Sequence, residues 1–157
     1  MDSTLWGLQG GAGLGNAKLT LAYTTVSEDT DSFKNGAFLA PYSFATSPLF
    51  TNNMIASMEN VDSGDAYKFT FNYNWPKTKL KLSYAEFNFE TSDNREAFDA
   101  DVTYSMEDMV EGLSLRWRLE YMISDNDSIE QINNRFQLQL TYWGSYRIAI
   151  RFVRRAK

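Results

Sequence analysis

The sequence contains no cysteine and no histidine. Without cysteine there is neither a disulfide nor a thiolate metal site. Without histidine the commonest general base and the commonest metal ligand are both missing. Because no catalytic arrangement is recognisable among the remaining residues, the sequence predicts a chain that is not an enzyme and that has no metal site and no cofactor.

Long apolar runs are also missing, and the charge is unevenly placed. No run of about 18 apolar residues occurs, so the sequence predicts no transmembrane helix. Residues 144–157 hold five of the 15 basic residues and none of the 20 acidic ones. The remainder is therefore strongly acidic, which argues against nucleic acid as a partner of the main body of the chain.

What the sequence does contain is a regular alternation of apolar and polar residues, with a period of two, which is clearest in residues 67–75. Apolar and aromatic side chains there alternate with Lys, Thr and Asn. Successive side chains of a strand point to opposite faces, so each strand has one apolar face and one polar face. The pattern recurs along most of the chain and predicts an all-β protein. The predicted strands cover residues 4–10, 18–26, 67–75, 80–89, 97–106, 113–123 and 134–143.

The alternation in strand 80–89 is irregular. It changes phase, since Leu80, Leu82 and Tyr84 are followed by Phe87 and Phe89, which predicts a β-bulge near Ala85–Glu86.

The glycine-rich residues 10–15 (GGAGLG) are predicted to form a turn between two strands, because no helix follows them.

Three features favour strands that cross a membrane. The segments are about ten residues long, which is the length that spans the apolar band of an outer-membrane barrel. Short and long connections alternate along the chain, and aromatic residues gather at both ends of the strands, as two lipid–water interfaces require. The predicted interface belt contains Trp75, Tyr73, Tyr104, Tyr121, Tyr142 and Trp143.

The predicted fold class is therefore an antiparallel up-and-down transmembrane β-barrel in the bacterial outer membrane, in contact with outer-membrane lipid and lipopolysaccharide. The alternative is a soluble β-barrel or β-sandwich binding module, whose strands would also alternate. Its apolar face would line a core or an apolar ligand pocket. That fold explains the period of two, but not the strand length or the two aromatic belts.

The number of strands predicts that the chain is part of a larger barrel. Single-chain barrels usually have an even number of strands and begin and end on the side of the short turns, whereas this chain shows seven strands beginning on the long-loop side. Residues 1–143 are predicted to be barrel strands with a long loop at 27–65, which folds into the barrel mouth, packs on a neighbouring subunit or covers its own rim. Residues 144–157 form a basic C-terminal extension in which YRIAIRFV alternates and could add an eighth strand.

The polar faces of the strands supply the candidate pore-lining residues. The basic set is Arg116, Arg118, Arg135, Lys18, Lys68 and Lys81, and the acidic set is Asp99, Asp101 and Glu120. Cations in a confined lumen attract anionic solutes, and an arginine side chain can bind a carboxylate through two parallel hydrogen bonds. The alternative is that opposite charges on neighbouring strands pair for stability alone.

Residues 99–127 (DADVTYSMEDMVEGLSLRWRLEYMISDND), followed by residues 133–143 (NNRFQLQLTYW), resemble the C-terminal hairpins of OprD-like outer-membrane porins. The motif SPLFTNN at 47–53 is similar to loop sequences of that family. The resemblance covers residues 4–143 and implies the C-terminal seven or eight strands of a barrel of about 18 strands, either monomeric or homotrimeric. It also implies passive, selective diffusion of small anionic or zwitterionic solutes, often carboxylates, along a row of basic side chains with acidic groups opposite. The residues after Trp143 depart from the family, whose chains stop at the terminal aromatic residue.

Overall fold

The computed structural model describes residues 4–29, 33–39, 49–126, 130–141 and 147–156. Eight strands and one short 3-10 helix make up its regular structure. The strands are β1 (Leu5–Leu14), β2 (Ala17–Val26), β3 (Gly64–Asn74), β4 (Thr78–Phe89), β5 (Arg95–Ser105), β6 (Leu113–Ser124), β7 (Gln131–Thr141) and β8 (Arg147–Ala156), and the 3-10 helix covers Phe33–Gly36. In the described ranges, no helix has the length and apolar character needed to cross a membrane.

All eight strands belong to one antiparallel sheet in which each strand pairs with the next one along the chain. The prediction of an all-β, up-and-down fold is confirmed for the first seven strands, and β8 adds an eighth within residues 144–157. The strands are 10 to 12 residues long, about twice the average of globular proteins. Within the described residues the sheet is not closed, because β1 and β8 each have one neighbouring strand.

The glycine-rich segment is a strand and not the predicted turn. β1 continues to Leu14 and pairs with β2 without interruption, from Leu5 opposite Val26 to Leu14 opposite Ala17. Only Gly15 and Asn16 form the turn, and Gly15 has a φ of 56°, as the two-residue turns of β-hairpins require. The pairing of ten residues of β1 with β2 outweighs the low preference of glycine for strands.

The predicted bulge at Ala85–Glu86 is also wrong. β4 pairs in unbroken register with β3, where Ala85 lies opposite Lys68, and with β5, where Glu86 lies opposite Glu96. The phase of the sequence pattern changes because the polar side of β4 becomes apolar at its end. Phe87 and Phe89 therefore lie on the same face as Lys81 and Ser83, and both are buried.

One face of the sheet, called the inner face here, is covered by residues 49–63, and the opposite face is called the outer face. The outer face is apolar but exposed: Phe69 keeps 44% of its surface accessible and Leu21 keeps 65%. The inner face is largely polar but buried, so that Lys68 keeps only 7% and Glu120 none. The usual arrangement of a water-soluble protein is thus reversed in the described part of the chain.

The apolar core lies between the inner face and residues 49–63, at the end of the sheet where the longer connections 27–63, 90–94 and 125–130 are found. Small side chains of the sheet, such as Ala66 and Ala97, leave space there for Phe87 from β4 and Met58 from the covering segment. This long-loop end is therefore packed, whereas the inner face towards the opposite, short-turn end is polar.

The turn between β5 and β6 requires glycine at position 112. Gly112 has a φ of 74°, and a Cβ atom there would lie 2.0 Å from the backbone oxygen of Thr141. Gly15 also has a positive φ, but its Cβ would meet nothing within 4 Å.

We therefore expect Gly15→Ala to lower the free energy of unfolding by about 1 kcal/mol, the cost of the left-handed conformation alone. Gly112→Ala should lower it by more than about 2 kcal/mol, because β7 must also move. Denaturant unfolding of the two variants tests this, and equal losses would contradict the close approach of β7 to the turn.

Candidate functional site

Residues 49–63, the inner loop, are tied to the inner face at several points. Near the beginning of the loop, the Thr51 hydroxyl donates to the Thr24 hydroxyl of β2 at 3.1 Å. The Lys68 ammonium of β3 donates to the backbone carbonyl of Asn52 at 2.5 Å. The loop then continues to β6, so it crosses the inner face over the intervening strands.

The contact with β6 is made by the carboxylate of Glu120. One of its oxygens accepts the backbone N–H of Ile55 at 2.7 Å, and the other accepts that of Ala56 at 2.9 Å. Glu120 is completely buried. A buried carboxylate is strongly disfavoured unless donors surround it, so this pair of hydrogen bonds and the position of the loop depend on each other.

A further anchor lies at the end of the inner loop, in the carboxylate of Asp62. It accepts the backbone N–H groups of Thr91 and Ser92, both at 2.8 Å, and the Thr91 hydroxyl at 2.6 Å. Burial by itself would raise the pKa of Asp62, but these bonds and the N–H of Ser63 outweigh it, so the pKa lies below the ordinary value of 3.8. The inner loop is thereby fastened to the connection between β4 and β5.

Four of the six predicted basic residues lie in one row across the inner face. The register places Lys18 opposite Asn72, Asn72 opposite Lys81, and Lys81 opposite Asp101. The row continues from Asp101 to Arg118 and from Arg118 to Arg135. This basic row consists of Lys18, Lys81, Arg118 and Arg135, with Asp101 as its one acid.

Asp101 is shared between two arginines. The guanidinium of Arg116, one row nearer the short-turn end, binds both of its oxygens, with Nε at 2.8 Å and 3.1 Å. Arg118 Nε lies 3.1 Å from Asp101 Oδ2. Because a single carboxylate faces two guanidinium groups, with the side chain of Arg135 opposite Arg118, positive charge remains in excess around it.

The other two predicted acids form a neighbouring row, one step towards the long-loop end. Asp99 of β5 lies opposite Glu120 of β6. Asp99 Oδ2 accepts the Ser83 hydroxyl at 3.2 Å. Asp99 Oδ1 and Asn133 Nδ2 in this row, and Gln137 Oε1 two rows nearer the short-turn end, are buried and have no hydrogen-bond partner among the described residues. Such atoms in the interior are satisfied by water or by a bound molecule, so this part of the inner face has unused capacity for a polar solute.

The structure thus brings all nine predicted charged residues to the inner face, but not into one cluster. Arg116, Arg118 and Asp101 form a connected ion-pair group. Lys18 stands near the short-turn end of β2, and Lys68 is engaged by the inner loop. Glu120 fixes the loop rather than facing an open space.

Sequence reasoning missed the contribution of the inner loop. The backbone N–H groups of Ile55 and Ala56, and the carboxylate of Asp62, have no pattern that marks them as partners of distant strands. Asn133 and Gln137 could have been found, because they alternate with the exposed Phe136 and Leu138 and so share a face with Arg135.

The predicted belt residues lie on or beside the outer face where they are described. Tyr73, Trp75 and Tyr104 are at the short-turn end, and the rings of Tyr73 and Trp75 are 4.3 Å apart. Tyr121 is at the long-loop end, where its hydroxyl donates to Glu130 at 2.6 Å. Tyr142 and Trp143 lie outside the described residues.

Not every aromatic residue at the long-loop end belongs to the outer face. Phe87 and Phe89, at the end of β4, belong to the inner core. Among the described residues, the outer-face aromatics towards that end include Trp6, Tyr23, Tyr67, Tyr84, Phe98 and Tyr121.

The anchor at Glu120 predicts the effect of neutralising it. Glu120→Gln should leave at least one of the Ile55 and Ala56 amides without an acceptor and remove the charge from the other bond. We expect hydrogen exchange of these two amides to become about tenfold faster or more. Glu96→Gln, which changes an exposed acid on the outer face, is the matched control, and unchanged exchange in Glu120→Gln would contradict the anchor.

The anchor at Asp62 predicts a pH dependence. A carboxylate whose pKa is lowered by folding stabilises the fold above its unfolded pKa, and this contribution is lost as the pH falls through the lower, folded value. The amides of Thr91 and Ser92 should therefore stay protected from exchange down to pH 3.8 and lose protection only below it. In Asp62→Ala, which has no acceptor in place of Oδ2, both amides should be poorly protected already at pH 7, and protection equal to that of the original chain would contradict the anchor.

Comparison with known proteins gives no independent identification. No family model matches the chain, and neither the curated proteins nor the solved structures contain a match.

Proposed function

We propose that this chain forms part of the wall of an OprD-like outer-membrane porin, through which small anionic or zwitterionic solutes, especially carboxylates, diffuse passively. On this proposal it is not an enzyme, it uses no cofactor, and its outer face contacts outer-membrane lipid and lipopolysaccharide. The strand ends with short turns would face the periplasm, and the long-loop end would face outwards.

The observation that carries the proposal is the reversed burial of the two faces. Leu21, Phe69 and Leu82 are exposed on the outer face, whereas Lys68, Asp99 and Glu120 are buried on the inner face. An exposed apolar surface that extends over several strands is favourable against hydrocarbon and unfavourable against water. The aromatic side chains at both ends of the outer face fit the two interfaces of a bilayer.

The inner face supports the choice of anionic solutes. Its nine predicted charged residues include six basic and three acidic side chains, and Asp101 is the one acid in the basic row. A carboxylate moving along the row would exchange one guanidinium for the next, and the competing Asp101 would keep each contact weak enough to be released. The neighbouring Asp99, with an oxygen left free of hydrogen bonds, could receive the ammonium group of a zwitterion.

The inner loop supports a barrel larger than these eight strands. Eight strands closed on themselves leave an interior that side chains alone fill, whereas here the inner face also accommodates the backbone of residues 49–63. The free edges of β1 and β8 also need partners in a membrane, where an unpaired backbone group costs several kcal/mol. Further strands, either of the same chain or of a neighbouring subunit, would satisfy both needs, and the inner loop would then narrow the pore.

The soluble binding module requires a second layer over the outer face. Among the described residues, the segments outside the strands that pack on the sheet lie on the inner face or at its long-loop end. The exposed leucines and phenylalanines of β2, β3 and β4 would then stand in water, which makes this the weaker alternative.

The proposal predicts that the chain in detergent binds succinate but not its neutral diamide. Succinate should shift the Nε–H resonances of Arg118 and Arg135 saturably, and Arg118→Gln should weaken binding by about tenfold through loss of a charged hydrogen-bond pair. Lys77→Gln is the control, because Lys77 lies in a turn and pairs with Asp108.

Equal responses to succinate and the diamide, or unchanged binding in Arg118→Gln, would contradict the role of the basic row. Neither result would depend on whether these strands alone form a conducting channel.

A further inference from the structure

Buried hydrogen-bonding groups flank the basic row, and the binding of a carboxylate alone does not use them. Asn133 and Gln137 lie on the inner face of β7 on either side of Arg135, and Asp99 of β5 lies in the same row as Asn133. The exposed fraction is 2% for Asn133, 4% for Gln137 and 8% for Asp99. Each has one side-chain atom without a hydrogen-bond partner among the described residues. A buried polar atom in this state is unfavourable, so the three atoms indicate the chemistry of a molecule that binds there.

The free atom of Asn133 is a hydrogen-bond donor, and the orientation of its amide is fixed. Nε of Arg135 donates to Asn133 Oδ1 at 3.1 Å. Because the guanidinium nitrogens of arginine donate but do not accept, the oxygen of the amide must face Arg135, and the amide cannot be turned over. Nδ2 of Asn133 is therefore left to donate, close to the cation of Arg135.

The free atom of Asp99 has the opposite character, since the oxygens of an ionised carboxylate only accept hydrogen bonds. Asp99 Oδ2 accepts the Ser83 hydroxyl at 3.2 Å, whereas Oδ1 has no partner among the described residues. Glu120 lies between Asp99 and Asn133 in the row, but both of its oxygens accept backbone N–H groups of the inner loop. Two strand spacings, about 10 Å, separate Asp99 from Asn133, so one small group cannot bond to both.

Both free atoms lie next to the guanidinium groups of the basic row. Arg118 precedes Glu120 by two residues, so it lies on the same face of β6, and it is opposite Arg135 of β7. The Arg118 side chain keeps 26% of its surface exposed, so a solute can reach it from the inner side. Between β5 and β7 the inner face therefore presents two cations in one row. The next row towards the long-loop end presents an acceptor at Asp99 and a donor at Asn133.

Hydroxyl groups match the positions that a carboxylate leaves unused. When the carboxylate of a solute binds the guanidinium groups through charged hydrogen bonds, the rest of the solute must donate to Asp99 and accept from Asn133. Methylene groups do neither. An ammonium group donates to Asp99 but has no acceptor for Asn133, whereas a hydroxyl group both donates and accepts. A carbon chain with several hydroxyl groups can bond to both positions at once.

We propose that this part of the inner face is a binding site for carboxylates that carry several hydroxyl groups, that is, for sugar acids. The carboxylate binds at Arg118 and Arg135, and hydroxyl groups donate to Asp99 and accept from Asn133, with Gln137 as a further acceptor on the other side of Arg135. The inference rests on the proposed function and deepens it, because it names a class of solute for the basic row. Simple carboxylates bind more weakly, since they leave Asp99 and Asn133 without partners.

The test compares gluconate, hexanoate and 6-aminohexanoate, three carboxylates with the same number of carbon atoms, on the chain in detergent. Gluconate adds hydroxyl groups to the carbon chain of hexanoate, and 6-aminohexanoate adds one ammonium group. Dissociation constants come from the shifts of the Nε–H resonances of Arg118 and Arg135, with the free concentration of each ligand calibrated in detergent without protein. Hydrogen-exchange protection of the Ile55 and Ala56 amides confirms that each variant is folded with the inner loop in place.

We expect gluconate to bind about twentyfold more tightly than hexanoate, the effect of hydrogen bonds to two buried groups at about fivefold each. Asn133→Leu removes the donor with little change of volume and should lower the ratio of the two dissociation constants by about fivefold. Asn134→Leu, the same substitution on the outer face of β7, is the matched control and should leave the ratio unchanged.

A second pair of variants tests the acceptor and serves if Asn133→Leu does not fold. Asp99→Ala changes the charge for all three ligands alike, but it removes the acceptor for gluconate alone. The ratio should again fall by about fivefold. Thr103→Val, on the same face of β5 and two rows nearer the short-turn end, is its control.

Equal binding of gluconate and hexanoate by the original chain would overturn the site and would mean that these buried atoms meet water alone. An unchanged ratio in Asn133→Leu or in Asp99→Ala would overturn it as well. Tighter binding of 6-aminohexanoate than of gluconate would overturn the hydroxyl assignment in favour of an ammonium group at Asp99. Failure of the proposed function gives a different result, since hexanoate too would then leave both arginine resonances unshifted.

Discussion

The packing of the inner face depends on one buried carboxylate, that of Glu120, which accepts the backbone N–H groups of Ile55 and Ala56. This contact, together with Lys68 and Asp62, fixes the inner loop across one face of the sheet. The inner face is therefore buried although most of its side chains are polar. The opposite face, with no comparable cover among the described residues, keeps its apolar side chains exposed.

The exposed apolar face and the buried polar face are both explained if lipid surrounds the outer face of the sheet. On the proposed function, apolar side chains lie outwards because hydrocarbon is favourable for them, and polar ones lie inwards because the interior would contain water and the solute. A lipid environment also places a condition on the backbone. In hydrocarbon, each strand needs a neighbour on both sides so that its N–H and C=O groups are paired. The central strands meet it within the sheet, whereas β1 and β8 need further strands, as a larger barrel would supply.

The sequence was sufficient for most of the strands and their faces, but not for the glycine-rich part of β1, the end of β4 or the inner loop. A period of two follows directly from backbone geometry, which is why Phe69 and Lys68 could be placed on opposite faces. The period alone cannot say when a face changes from polar to apolar, so Phe87 was assigned to the wrong side and a bulge was invoked. The anchors at Glu120 and Asp62 escaped because they join backbone groups far apart in sequence, and backbone groups carry no sequence signal.

Spin labels placed one at a time from Tyr67 to Tyr73, in the chain reconstituted into a bilayer, would show whether the outer face meets lipid and the inner face meets water. If the outer face meets lipid, accessibility to oxygen, which concentrates in lipid, should peak at 67, 69, 71 and 73. Accessibility to a polar nickel reagent should instead be higher at 68, 70 and 72, to the extent that the inner loop leaves them open. Uniform access of the nickel reagent to both sets, or oxygen maxima at the even positions, would contradict this assignment of the two faces.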